Sequence, residues 1–448
     1  MKQTFTVSAV IAAIAILPAV KPARSETKKV TLKEVIALAE SSSPDLALSA
    51  GGVTTAKLER VASGRLRLPR LDVGGNVFLW DEALEFDLGM APPGMAAEPV
   101  TVRDRVTSQV SLTAALPLSA QLVIGHLIDV DDAALDEARA NHADARHRIG
   151  AGVAIAYVQL LSARSTEEIA RASLTQLEAQ RERARILQDG GVLERVDVMR
   201  LDAAVARAQL QALQAARILD RIEAELVLVL GLPVGLHLVP SDELPAEPTM
   251  LSQEHRGGVS TGLSSRPDLL SAAAVATRAR AGASVSRADL FPEVTAIATY
   301  QHNEGGGTFQ PKNAWFVGVT ASWTVWDWGH NWKNYKAASS RADTVQLAAD
   351  RKLDRAELET HTLLLNLDNS FAGLAAARSG LVAADEALRI QDERFKVGKA
   401  TTTDLLDAQT EATRARLSYA TSRYAYFISL VALARAAGRP ASFYLDQI

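Results

Sequence analysis

Cysteine is absent from all 448 residues. That excludes disulfides, a thiolate nucleophile and a lipid anchor on an N-terminal Cys. Aromatic residues make up only 5% of the chain, so any clustering of them needs a local cause. Trp315, Trp323, Trp326 and Trp328 fall close together, with Trp332 just beyond. An excess of one charge is also lacking. The net charge is −4 with both signs interspersed, which argues against nucleic acid as the main partner. Past the N-terminus there is no run of about 20 apolar residues, the pattern of a transmembrane helix. Catalytic motifs are missing too. The histidines form no HExxH zinc motif, and no GxSxG occurs. Gly305-Gly306-Gly307 lacks the Lys-Ser/Thr of a phosphate loop and reads as a hairpin loop. No residue set converges on chemistry, so no enzyme activity, cofactor or metal is expected.

What is present begins with an export signal. Lys2 supplies a positive region, Val7–Val20 an apolar one, and Ala23 and Ser25 the small residues for cleavage. Residues 1–25 are therefore expected to be a removable leader. Export without cysteine fits a bacterial envelope protein.

The rest of the chain reads twice. Gly191 stands six residues before Asp197, as Gly398 stands six before Asp404. Ser43-Pro44-Asp45-Leu46 recurs as Arg266-Pro267-Asp268-Leu269, and Pro44 to Pro69 equals Pro267 to Pro292 in span. Such self-similarity predicts two structural repeats, 26–230 and 266–438. The Pro-, Gly- and Ser-rich stretch 231–265 reads as a linker between them, and 439–448 as a tail.

Within each repeat the hydrophobic period changes from helix to strand. Leu71, Val73, Val77 and Leu79 alternate with Asp72, Gly74, Asn76 and Phe78. Val106 to Leu116 alternates likewise, closing a hairpin over 70–118. In the second copy Val294–Tyr300 and Trp315–Val325 close one over 293–326. Four strands of roughly 9 to 12 residues with a dyad period suit a lipid-facing barrel. Trp80, Trp315, Trp326 and Trp328 lie at strand ends, where an interfacial aromatic belt would place them. A soluble two-hairpin sandwich is the competing interpretation. Four strands cannot close a pore, and open edges are forbidden in lipid, so a barrel would have to pool several chains.

From Ser119 to Leu187 and from Asn331 to Phe395 the pattern is helical and rich in Ala. Each rod would run on the order of 100 Å. Small residues allow close helix–helix contact, as in coiled coils, and Gly150 and Gly152 offer a bend. Each rod turns at a glycine and returns as a shorter helix, Glu194–Leu230 or Thr402–Ala437. Asp404 and Asp407 share a helix face. Copies from several chains would form acidic rings that favour cations, with Asp197 as the first-copy counterpart. The alternative is a first-turn partner of the helix dipole plus a surface acid.

These features resemble the TolC-like outer-membrane efflux protein family. The resemblance runs from Thr31 to Gly438. It is carried by Arg394-Phe395-Lys396-Val397-Gly398 through Asp404-Leu405-Leu406-Asp407-Ala408, by the paired helix openings, and by the Val325-Trp326-Asp327-Trp328-Gly329 junction. It implies a mixed α/β membrane protein, internally duplicated, in which a long α-helical coiled-coil barrel continues a transmembrane β-barrel. Trimerisation would complete that barrel, four strands from each chain. It implies an outer-membrane location reaching into the periplasm and a passive exit duct for small molecules. It further implies a periplasmic adaptor protein and an inner-membrane RND or ABC pump. The acids Asp404, Asp407 and Asp197 would narrow the periplasmic tip. Adaptor docking would fall on the turns Gly190, Gly191, Val192 and Leu193, and Val397, Gly398, Lys399, Ala400 and Thr401. A duct for secreted proteins and a periplasmic coiled-coil spacer are the rival functions. The sequence also departs from the family. Phe395 and Ala400 occupy positions where the best-known member closes its tip with a tyrosine and an arginine. Leu118-Ser119-Ala120 replaces the Asp-Gly junction in the first copy.

Overall fold

The computed structural model describes residues 27–86, 99–233, 235–242, 244–443 and 445. The expected leader, 1–25, lies outside them. Eight helices are described: α1 Leu32–Ser42, α2 Pro44–Arg65, α3 Ala120–Asp189, α4 Arg195–Val229, α5 Gln253–Gly262, α6 Pro267–Ala288, α7 His330–Lys396 and α8 Thr402–Ala436. The strands are β1 Thr27–Val30, β2 Arg70–Leu79, β3 Leu84–Phe86, β4 Val100–Arg103, β5 Val106–Pro117, β6 His237–Pro240, β7 Glu293–Glu304 and β8 Asn313–Ser322. The duplication is visible in their lengths. Both α2 and α6 have 22 residues, and both α4 and α8 have 35. The rods α3 and α7 have 70 and 67. Gly150 and Gly152 do not interrupt α3, whose neighbouring turns hold the ladder. Among the described residues no helix is long and apolar enough to cross a membrane.

Four long helices end in the same way. Beyond α3, Gly191 takes φ 76° while Val192 N–H donates to Leu187 O at 2.8 Å and Gly191 N–H to Gln188 O at 2.9 Å. Beyond α7, Gly398 takes φ 71°, with Lys399 N–H on Arg394 O and Gly398 N–H on Phe395 O. Gly231 and Gly438 repeat the pattern after α4 and α8. A Cβ is disfavoured at such left-handed positions, and the paired bonds satisfy carbonyls that the helix leaves open.

One compact unit draws on the described residues up to Ser42, on Val153–Glu247 and on Leu374–Ala425. It holds the two helical turns, and its core there is shared by Ala184 of α3, Val198 and Leu201 of α4, Leu388 and Phe395 of α7, and Leu405 and Ala412 of α8. Away from the turns, β1 pairs in parallel with β6. Buried Tyr157 fastens this pair by donating to Val30 O at 3.0 Å and Asp242 Oδ2 at 3.2 Å. Burial, with the Asp242 charge beside it, pushes the Tyr157 phenol up. The expected linker is bound rather than free. Tyr419 donates to Ala246 O at 2.6 Å, and Arg423 Nε to Pro245 O at 2.9 Å.

The other unit draws on Ser43–Gly152, Pro248–Gly373 and Tyr426–Ile448. Here the linker carries α5 and a short 3-10 helix, Leu263–Ser265. Tyr426, fully buried near the end of α8, donates to Thr249 O at 2.8 Å. Arg266, also buried, grips Asp268 with two bonds of 3.0 Å and Glu359 with one of 3.0 Å. It also donates to Ala436 O at 3.3 Å, so the start of α6 is tied to α7 and to the end of α8.

The main sheet belongs to this unit. Its order is β2-β5-β7-β8, antiparallel throughout. The two hairpins expected from alternation are thus joined through β5 and β7. The return strand ends at Ser322, short of the expected Val325. Trp323 leaves the ladder and donates its indole N–H to Leu290 O at 3.3 Å. A small pair, β3 with β4, extends the first hairpin at its loop end.

Candidate pore lining and helical tips

Direct cross-strand partners share a face, so the register sorts the sheet into two sides. One side carries Val73, Leu112, Tyr300 and Trp315 at a single level, and Ala114, Ala298 and Val317 at the next. It is apolar at these levels, where Trp315 is 77% exposed, and turns polar only at the loop end, with Ser108, His302, Glu304 and Asn313. The opposite side is bridged by polar side chains. Asn76 donates to Gln109 at 3.4 Å, Gln109 to Gln301 at 2.8 Å, and the Thr113 and Thr299 hydroxyls lie 3.1 Å apart. An apolar face against lipid and a polar face against water account for this segregation. Both edge strands, β2 and β8, lack a partner on one side among the described residues.

The strand-end tryptophans divide between these faces. Trp315 is on the apolar side. Trp326 and Trp328 follow β8 at its helix end, edge to face at 5.7 Å. Asp327 holds the turn between them, its Oδ1 accepting from Gly329 N at 2.9 Å and its Oδ2 from Asn331 N at 2.8 Å. Trp328 is 88% exposed and has φ 58°, a left-handed value rare for a bulky residue. Trp80 departs from the expected belt. Its indole N–H donates at 3.0 Å to Thr107, the cross-strand partner of Phe78, so it lies on the polar side. The Arg103 guanidinium stacks 3.7 Å over its ring. Strand parity runs on past Leu79 and decides this orientation.

At the tips the three acids have different surroundings. Asp404 caps α8. Its Oδ2 accepts from Thr401 N at 3.0 Å and from Thr401 Oγ1 at 2.8 Å, and its own N–H returns to Thr401 Oγ1 at 3.2 Å. These bonds, side chain first, hold its carboxyl below the usual range, with the Arg394 charge assisting. Asp197 lies 3.6 Å from Arg200, which also reaches Thr403 Oγ1 at 3.3 Å and so links the two turns. Asp407 is exposed and has no hydrogen bond or ion pair among the described residues. It lines a groove of about 800 Å³ together with Arg200, Arg207 and Arg414. Phe395 is 3% exposed and packs in the tip core, with Ala400 against the same cluster.

Sequence reasoning missed a polar layer in the helical packing. Gln180 and Gln409 are both buried and face each other at 3.4 Å, and Thr413 meets Ser173 at 3.0 Å. The signal was available: Gln409 interrupts the buried series Leu405, Ala412 at a core spacing.

A family model described as outer membrane efflux protein matches residues 35–232 and 259–439. The chain belongs to that family. BepC, an outer membrane efflux protein of Brucella suis, is 24% identical over 288 residues, 63% of this chain and 62% of its own. The chain thus spans less than two thirds of this curated relative. Among solved structures, the outer-membrane channel OprN superposes with a TM-score of 0.77 at 23% identity, over 91% of this chain and 89% of its own. VceC of Vibrio cholerae superposes at 0.74 with 19% identity, over 91% and 96%. The fold is therefore that of the outer-membrane efflux channels. As a member of the outer membrane efflux protein family, the chain resides in the outer membrane and extends into the periplasm.

Proposed function

We propose that this chain is the exit duct of a tripartite efflux system, conducting small molecules passively from an inner-membrane pump to the outside. The observation that carries this is the two-faced sheet with open edges. A ten-residue strand spans about 33 Å, or roughly 25 Å when tilted, which suits the apolar band of an outer-membrane barrel. Unpaired edges in lipid cost several kcal/mol for each open group, so the strands of other copies must close the ring.

The helices favour the same assembly. Besides its buried seam, α4 has a second apolar stripe, Val196, Met199, Ala203, Ala206, Leu210 and Leu213, spaced alternately by three and four and exposed in the protomer. Such a seam suits a helix of a second copy, and we assign the assembly as a homotrimer. Asp407, with Asp404 and Asp197 nearby, would narrow the tip of the conduit. The turns Gly190–Glu194 and Val397–Thr401 would receive a periplasmic adaptor, itself bound to an RND or ABC pump.

The test is reconstitution of the mature protein in planar bilayers. Heat-modifiable trimers giving stepwise ion conductance are expected. A water-soluble monomer that never enters a bilayer would sink the proposal.

A further inference from the structure

The second unit contains a groove of about 940 Å³ at the helix end of the main sheet. Its strand-end residues Glu293 and Ser322 belong to the polar side, since they pair with each other in that register. Two large apolar side chains line it nonetheless. Leu122 is 80% exposed and Phe291 is 62% exposed in the protomer. A volume of this order suits one drug-sized molecule.

The charges of the groove are uneven. Asp289 and Glu293 line it, and neither carboxylate has a hydrogen bond or ion pair among the described residues. Asp289 is engaged only through its backbone carbonyl, which accepts from Asn331 Nδ2 at 3.2 Å. Arg287 offsets one of the two acids. His126, the remaining ionisable lining residue, lies 3.5 Å from Asp129 outside the groove. The two carboxylates outnumber the one arginine of the lining and lie beside an aromatic face.

We propose that this groove binds amphipathic organic cations as they pass toward the barrel. The cationic centre would sit by Asp289 and Glu293 and over the Phe291 ring, which attracts cations through its quadrupole. The apolar body would cover Leu122. This deepens the duct assignment and rests on it, because the polar side must face the lumen for cargo to reach the groove.

Tetraphenylphosphonium and tetraphenylborate share one shape and differ in sign. Their binding to the purified full-length protein is measured by equilibrium dialysis in a single detergent. The phosphonium is expected to bind roughly tenfold tighter, and Asp289→Asn with Glu293→Gln to erase that preference. Phe291→Leu should weaken phosphonium binding about threefold. Equal binding of both ions, tighter borate binding, or an unchanged preference in the double variant overturns the proposal. If the double variant fails to assemble, Glu293→Gln alone must lower the preference. Bilayer conductance separates the two ideas. A conducting protein with no phosphonium preference removes the groove and leaves the duct, whereas a protein that does not conduct removes the duct itself.

Discussion

Asp404 and Thr401 satisfy one another three times over, whereas the side chain of Asp407, three residues along the same helix, has no partner among the described residues. The two acids are neighbours on α8 but do different work. The first closes the helix end, and the second remains available to solvent and ions.

Ion selectivity should therefore separate them. Asp407→Asn is expected to lower cation selectivity in single-channel recordings, read as a shift of reversal potential across a salt gradient. Asp404→Asn should move the reversal potential less and loosen the first turn of α8 more, seen as faster amide exchange at residues 402–405. Equal shifts from both variants would return the pair to a common acidic ring.

Acid should act on the same cap. A carboxyl whose pKa falls on folding stabilises above its ordinary range and loses that contribution as the pH drops through the depressed value. Asp404 is lowered from 3.8, so its cap should hold at neutral pH and fail only below that figure. Amide exchange at the start of α8, followed from pH 7 downward, checks this. Loss of protection near pH 5 would contradict it.

The Arg266 cluster should matter for stability rather than conductance. Its guanidinium is nearly buried and serves Asp268, Glu359 and a helix-end carbonyl. Arg266→Met leaves these acceptors unpaired and is expected to destabilise by on the order of 3 kcal/mol at pH 7. Burial pushes the Asp268 carboxyl up, but the bond and charge of Arg266 outweigh this and hold it below its ordinary value. The difference from wild type should therefore shrink in acid, once Asp268 takes up a proton. Thermal unfolding at several pH values measures both effects.

Single-tryptophan variants test the two sides of the sheet. Trp315 alone should be quenched by brominated phospholipid. Trp80 alone should resist that quencher, because its indole is turned to the polar side beside Thr107. Strong quenching of Trp80 by brominated lipid would reverse the assignment of faces.

Much of this was legible in the residues. Gly191 and Gly398 mark their turns because only a residue without Cβ takes that backbone cheaply. Pro44 and Pro267 open helices, and strict alternation marks the strands. Other features depended on partners distant in sequence. The segment around Pro245 to Thr249 reads as a loop, yet Tyr419, Arg423 and Tyr426 take its carbonyls in turn. Trp80 looked like a belt residue because its side depends on which residues pair across β2 and β5. The acids at the tip share one spacing rule, and only geometry distinguishes the capped one from the free one.

The open edges of β2 and β8 have a genetic corollary. In the proposed assembly each copy offers two seams and can satisfy neither by itself, so membrane entry and association would become one event. A copy damaged at a seam, for example by proline in β8, would still recruit sound neighbours through its helices and then prevent ring closure. Such alleles should be dominant over the wild type, while truncations that never reach the membrane should be recessive.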